Sequence, residues 1–290
     1  VLICGLLFTN NVKAETNYQK AKRLLKKALK TNNRRLNIKL CKRIIQISPN
    51  SEYGYFCRGY IKCLENKFRL ALKDFNKAIE VNPNLWEAYL NRGKCFFKLK
   101  KFSLAIKDLN KTIKLNPKSW EAYLGRGISY LYLKKFSLAI RDLNKTIELN
   151  PKSWEAYLNR GNCYSDLQKL YLAIKDYSQA IEVNPNLWEA YLNRGKCYFK
   201  LKKFSLAISD YNKAIKLNPN SWEAYYYRGL SYACISKFSL AINDLNKAIK
   251  LNPNSWKAYY IRGMAYQKLG NSNKSDQDMQ RARELRSMVR

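Results

Sequence analysis

Histidine occurs nowhere in the 290 residues. Its absence removes the commonest general base, the imidazole metal ligand and the near-neutral pH switch, so most hydrolase and zinc chemistries are disfavoured from the start. Acidic residues are scarce: 21 Asp and Glu stand against 55 Lys and Arg, a formal charge of +34. A field of that sign attracts nucleic acid, an anionic membrane or an acidic protein, and charge alone does not choose among them. Lysines that merely solvate helix faces in a chain rich in Lys, Asn and Ile give the same total, and both readings stay open.

The eight cysteines form no Cys-x-x-Cys pair, and no metal-ligand spacing can be built from them. There is also no nucleophile elbow and no phosphate-cradling glycine loop, so nothing points to catalysis, a cofactor, a metal or a small-molecule substrate. Long apolar runs are missing too. Val1 to Phe8 is apolar but too short to span a bilayer. Since no methionine starts the chain, residues 1–14 are expected to be the remnant of a signal peptide, with Val12-Lys13-Ala14 offering cleavage before Glu15. Bulky Ile3 argues against lipid attachment at Cys4. Export to a periplasm or the exterior is favoured over the cytoplasm, although seven cysteines would then remain without an obvious pairing.

What the chain does contain is repetition. All seven prolines (Pro49, Pro83, Pro117, Pro151, Pro185, Pro219 and Pro253) stand 34 residues apart. Gly59 through Gly263 and Trp86 through Trp256 keep the same step. Within one unit, Tyr89, Phe96 and Leu99, then Phe102, Ala105, Ile106, Leu109 and Ile113, recur at steps of three and four, which predicts two amphipathic helices. Lys100 and Lys101 mark the break between them, and Asn116-Pro117 ends the second. Gly93 in mid-helix costs about 1 kcal/mol relative to alanine, and the missing side chain is expected to let the paired helices approach.

A 34-residue helix pair that reads Trp-Glu-Ala-Tyr-Leu-Asn-Arg-Gly, then Ala-Ile, then Asn-Pro, resembles the tetratricopeptide repeat. Seven units span 52–289, and a degenerate one, with Asn37 in place of the small alanine, spans 15–51. The resemblance implies an all-α, right-handed α-solenoid of tandem helix-turn-helix repeats, first helices lining the concave face and second helices outside. A longer period is superimposed: Asp74–Cys95 returns almost unchanged at Asp176–Cys197, 102 residues on, as if three repeats had been duplicated. The last helix, with Ser275 for alanine and a polar sequence, reads as a solvent-facing terminus.

Several residue series are assigned to packing. Arg58 through Arg262 precede each recurring glycine, and Asp74 through Asp278 recur in the second helices, which predicts a ladder of Arg–Asp pairs, within or between repeats. An arginine ladder facing a ligand is the rival. The tryptophans are expected to pack between helices rather than stack on bases. Cys95, Cys163 and Cys197 share the position that Ser129, Ser231 and Ala265 occupy elsewhere, so a small, inert buried thiol is expected.

The ligand is expected on the first helices. Steps of four, three and four place Glu87, Asn91, Lys94 and Lys98 on one stripe. Its counterparts are Glu155, Asn159, Asn162 and Asp166, then Glu189, Asn193, Lys196 and Lys200. Elsewhere the stripe holds Gly125, Ile128 and Tyr132; Tyr227, Leu230 and Cys234; and Ile261, Met264 and Lys268. Asparagines suit a peptide backbone, and Tyr132, Tyr227, Leu230, Ile261 and Met264 suit apolar anchors. By the resemblance, gripping a free C-terminal carboxylate is not expected, because Leu90, Leu158 and Leu192 stand where that version has lysine. Lys107, Lys111 and Lys114 share a face of the second helix, away from the stripe. The sequence therefore reads as a non-catalytic scaffold that binds a protein or peptide in its groove, with an acidic partner suited to the charge. Binding of nucleic acid or another polyanion through the basic surface is the alternative, separable by its steep salt dependence.

Overall fold

The computed structural model describes residues 16–31 and 33–288; the expected leader, with Cys4 and the cleavage site, lies outside them. Among the described residues there are sixteen helices and no strand. The chain divides between Ser129 and Tyr130 into two compact units. The first holds α1 (Asn17–Lys30), α2 (Arg34–Ile47), α3 (Glu52–Leu64), α4 (Phe68–Val81), α5 (Trp86–Lys98), α6 (Phe102–Leu115) and most of α7 (Trp120–Tyr132). The second holds α8 (Phe136–Leu149), α9 (Trp154–Asp166), α10 (Leu170–Val183), α11 (Trp188–Lys200), α12 (Phe204–Leu217), α13 (Trp222–Cys234), α14 (Phe238–Leu251), α15 (Trp256–Lys268) and α16 (Ser272–Ser287). No described helix is long and apolar enough to cross a membrane.

Two local devices shape the repeats from α3 onwards. The turn inside a pair is a helix-ending motif: Lys100 N–H donates to Phe97 O at 2.9 Å and Lys101 N–H to Phe96 O at 2.8 Å, so the last carbonyls of α5 are satisfied. It needs a left-handed residue, and Asn66, Lys100, Lys134, Gln168, Lys202 and Ser236 take φ of 56–59°; among the described residues only the last turn uses glycine, Gly270 at 76°. Between pairs, the asparagine before each proline from Pro83 onwards folds back on the chain. Its Oδ1 accepts from the N–H two residues on, as at Asn82 with Asn84 (3.0 Å) and Asn184 with Asn186 (3.2 Å). Ser153 and Ser221 then cap α9 and α13.

Packing follows the chain. In the second unit α9 packs on α10, α10 on α11, and each first helix also touches the next, α9 to α11, α11 to α13 and α13 to α15; α1, α3 and α5 repeat this in the first unit. Alanines at the crossings, such as Ala71, Ala88, Ala190 and Ala207, are fully buried. The close approach expected at the mid-helix glycines is present: a Cβ on Gly195 would stand 2.6 Å from Tyr211 Cε1, and one on Gly161 2.7 Å from Tyr177 Cε1.

Cys95, Cys163 and Cys197 are buried, as are Ser129, Ser231 and Ala265 at the equivalent positions. The tryptophans pack as expected; Trp188, for example, lies against the Leu192–Tyr211 cluster. Asn37 is buried and ties its Nδ2 to Thr31 O at 3.0 Å, a polar repair at the position that elsewhere holds alanine. Ser275 is likewise buried, so the polarity of α16 resides in its exposed neighbours, such as Lys274, Asp276 and Gln277.

Candidate functional site

The arginine series is consumed by the frame. Arg92, Arg160, Arg194, Arg228 and Arg262 each donate Nε and Nη2 to the two oxygens of the aspartate sixteen residues on, at 2.6–2.8 Å. The partners therefore belong to one repeat, α9 to α10 for Arg160–Asp176. The third nitrogen reaches backward: Arg160 Nη1 donates to Asn144 Oδ1 and Arg228 Nη1 to Asn212 Oδ1, both at 2.6 Å, on the preceding second helix. Ser178 plays that part for Arg194 at 2.9 Å. A tyrosine ring lies under each guanidinium, as Tyr157 does at 5.8 Å from Arg160. The hydrogen bond that Arg160 donates to Asp176 is the chief cause that raises the Arg160 pKa. Burial pushes the Asp210 carboxyl up, and Arg194 pulls it back. The backward-reaching asparagines escaped the sequence reading, although Asn76, Asn110, Asn144, Asn212 and Asn246 stand two residues after five of the seven aspartates. Arg58 differs: it stands 3.7 Å from Asp74 and donates to Pro49 O, and Lys62 takes Asp74 at 2.6 Å.

With the arginines occupied, the first-helix stripe remains as one polar surface of the second unit. Tyr132, Asn159, Asn162, Asp166, Asn193 and Lys196 line one open concavity of about 550 Å³. Leu131, Lys134 and Ser165, not picked out by sequence, complete it. The asparagines are held in place. Asn159 Nδ2 donates to Glu155 O at 2.7 Å, one turn back in α9, and Asn193 Nδ2 donates to Asn162 Oδ1 at 3.1 Å across to α9. Asn162 Oδ1 also accepts from the Tyr177 hydroxyl at 2.9 Å. Each of these amides spends part of its hydrogen-bonding capacity on the scaffold while lining the concavity. Tyr132, 61% exposed, stands at the rim.

Towards α13 the stripe becomes aromatic. Lys196 Nζ sits 5.0 Å over the Tyr227 ring, which stacks on Tyr211 at 6.0 Å and meets Phe199 edge-on at 6.4 Å. Burial lowers the Lys196 pKa, against the pull of Glu223. Tyr227 is therefore half-buried rather than a free anchor, and Ile261 packs on the Leu245–Ile249 cluster. Leu230 is partly covered and Met264 exposed. Lys200 reaches Gln168 Oε1 at 3.5 Å.

In the first unit the stripe residues Asn91, Lys94 and Lys98 lie on α5. Asn91 Nδ2 donates to Glu87 O at 2.8 Å, repeating the Asn159 arrangement, and Lys94 and Lys98 are exposed. Leu90 and Leu192, one residue before the stripe asparagines, are buried in the core clusters of their repeats. Lys107 and Lys114 are exposed on the second helix, and Lys111 lies 5.9 Å over the Tyr89 ring.

Comparison with known families bears on this arrangement. Profiles described as tetratricopeptide repeat match residues 86–119, 120–153, 154–187, 188–221, 210–243 and 257–287, and one described as TPR repeat matches 236–270. No curated protein matches the chain. Among solved structures, MamA is 27% identical over 56% of this chain and 95% of its own, with a TM-score of 0.54. YrrB, described as a TPR protein with an unusual peptide-binding site, is 24% identical over 63% of this chain and 95% of its own, at 0.56. The C-terminal part of a TPR repeat-containing protein from Cytophaga hutchinsonii is 20% identical over 79% of this chain and 95% of its own, at 0.65.

Proposed function

Because the chain belongs to the tetratricopeptide repeat family, a family of protein-interaction scaffolds, we propose that it is non-catalytic and binds an extended segment of a partner protein on the first-helix stripe. The array is read as a degenerate repeat at 15–51 followed by seven repeats over 52–289. The observation that carries the reading is the concavity of the second unit, where three pre-positioned asparagines and an exposed tyrosine converge. Asparagines anchored by their own scaffold lose little freedom when they meet a peptide backbone, and an aromatic rim takes an apolar side chain. Lys134 and Lys196 beside a single Asp166 suit a segment with acidic character. YrrB shares the fold at an identity that speaks to fold alone, so the reading rests on this chain's own side chains. The full groove set is Asn91, Lys94, Lys98, Tyr132, Asn159, Asn162, Asn193, Lys196, Lys200, Tyr227, Leu230, Ile261 and Met264, with Tyr132, Asn159, Asn162, Asn193 and Lys196 at its centre.

Selection of a random peptide library against the full chain tests this. Enriched peptides are expected to lose at least tenfold in affinity with Asn193→Ala or Tyr132→Ala and to vary little with salt. Binding that instead falls steeply with salt and is lost with Lys107→Glu, Lys111→Glu and Lys114→Glu combined would move the function to polyanion binding by the basic surface.

A further inference from the structure

We propose that Cys63 and Cys95 are a thiol-modification site, at which exchange with a low-molecular-weight disulfide joins α3 to α5 through a disulfide bond. The two sulfurs lie 2.9 Å apart, one on the last turn of α3 and the other on the last turn of α5, first helices of consecutive repeats that touch directly. A bonded pair stands at about 2.05 Å, so closure asks for a shift of roughly 0.9 Å. Cys63 is partly exposed and open to attack from solvent, whereas Cys95 is buried behind it. That arrangement gives an entering thiol and a resolving thiol.

The duplication over 102 residues supplies an internal comparison. Positions 63 and 95 correspond to 165 and 197, where the chain has Ser165 and Cys197, with Cys197 Sγ 3.8 Å from Ser165 Oγ. The same two positions in other neighbouring repeats hold Phe97 with Ser129, Phe199 with Ser231, and Ala233 with Ala265. Packing at this seam is thus satisfied by many pairs, and only the first of them is a dithiol. The hydrogen bond with Cys95 and the charge of Lys94 both lower the pKa of Cys63, which favours its thiolate as the nucleophile. Cys41 and Cys57 also hydrogen-bond to each other, but both are buried out of reach of a solvent disulfide. Cys234 is exposed on α13.

The exchange balances in two steps. The Cys63 thiolate attacks one sulfur of the small disulfide, which forms a mixed disulfide and releases one small thiolate. The Cys95 thiol, as it gives up its proton, attacks the Cys63 sulfur, closing the 63–95 bond and releasing the second. The small disulfide is reduced to two thiols, which take up the two protons, and the protein dithiol is oxidised.

Incubating the folded full chain with glutathione disulfide, followed by alkylation and non-reducing peptide mapping, tests the site. The expected result is a peptide cross-linked between Cys63 and Cys95 and reversed by dithiothreitol, with glutathione attached at Cys234 in the same sample. Cys95→Ser, which places at this position the residue found at Ser129 and Ser231, is expected to trap glutathione on Cys63. Cys63→Ser is expected to leave Cys95 unmodified. Wild-type chain that keeps glutathione on Cys63 without a cross-link, or that leaves Cys63 unmodified while Cys234 reacts, would overturn the proposal.

Discussion

Arg160 and Asp176 meet at two points, Nε on Oδ2 at 2.7 Å and Nη2 on Oδ1 at 2.6 Å, and the remaining Arg160 nitrogen holds Asn144 of the preceding second helix. One guanidinium thus closes its own helix pair and fastens it to the one before. The Asp176 side chain is 3% exposed, so removing the arginine strands a carboxylate with no route to water. Arg160→Ala is expected to cost about 3–5 kcal/mol in urea unfolding, and Arg160→Lys, which cannot form the two-point contact, a large part of that. A loss under about 0.5 kcal/mol would mean that the pair behaves as a wet surface bridge.

The mid-helix glycines differ in what they face. A Cβ on Gly195 would meet Tyr211 Cε1 at 2.6 Å, but one on Gly93 would meet Leu109 Cγ at 3.2 Å. Gly195→Ala is expected to lose about 1–3 kcal/mol from overpacking, and Gly93→Ala clearly less, since the gain in helix propensity offsets a milder contact. Equal losses in thermal unfolding would show that ring position does not set the constraint.

Tyr177 and Tyr211 occupy equivalent places with different hydroxyl partners. Tyr177 donates to Asn162 at 2.9 Å, while the buried Tyr211 hydroxyl has no partner in the structure. Tyr177→Phe is expected to cost about 1 kcal/mol and Tyr211→Phe to be neutral or stabilising by a similar amount. Phe75 already fills the equivalent place in the first unit. The reverse order in urea midpoints would contradict this assignment.

Alkali is expected to weaken the second unit through its tyrosines. Burial is the chief cause that pushes the Tyr226 hydroxyl from 10.0 up to about 12, and it pushes Tyr177 and Tyr211 up as well. A phenol whose folded value lies above its unfolded one favours the fold while neutral. The contribution is therefore complete below pH 10 and is lost as pH rises towards 12. Phenolate absorbance and helical circular dichroism followed together should show these tyrosines ionising as helix is lost; full ionisation with the helix intact would refute the coupling.

Much of this was legible in the sequence because a period of 34 repeats every constraint. Gly195, Pro185 and Arg194 can each be checked against several counterparts, so the helix pairs, the close approach at glycine and the Arg–Asp pairing follow from spacing. The direction of the pairing did not follow, since a step of sixteen residues is compatible with a partner in the same or an adjacent repeat until the helix crossing is known. The role of Asn144 was hidden for another reason: an exposed polar residue on a helix has the same signature whether it faces water or holds a guanidinium. Helical spacing puts Tyr227 on the first-helix stripe, but sequence could not reveal that Tyr211, Phe199 and Lys196 pack around it. The sulfur contact of Cys63 and Cys95 depends on how neighbouring first helices lie against each other, which no single repeat encodes.

The central claim is that a partner segment lies along the first helices. A benzoylphenylalanine photocrosslinker substituted for the exposed Tyr132, compared with one substituted for the exposed Lys213 on α12, tests it with a peptide selected against the full chain. The account expects cross-linking from position 132, abolished by excess unlabelled peptide, and little from position 213. Cross-linking confined to position 213, or equal at both, would contradict it.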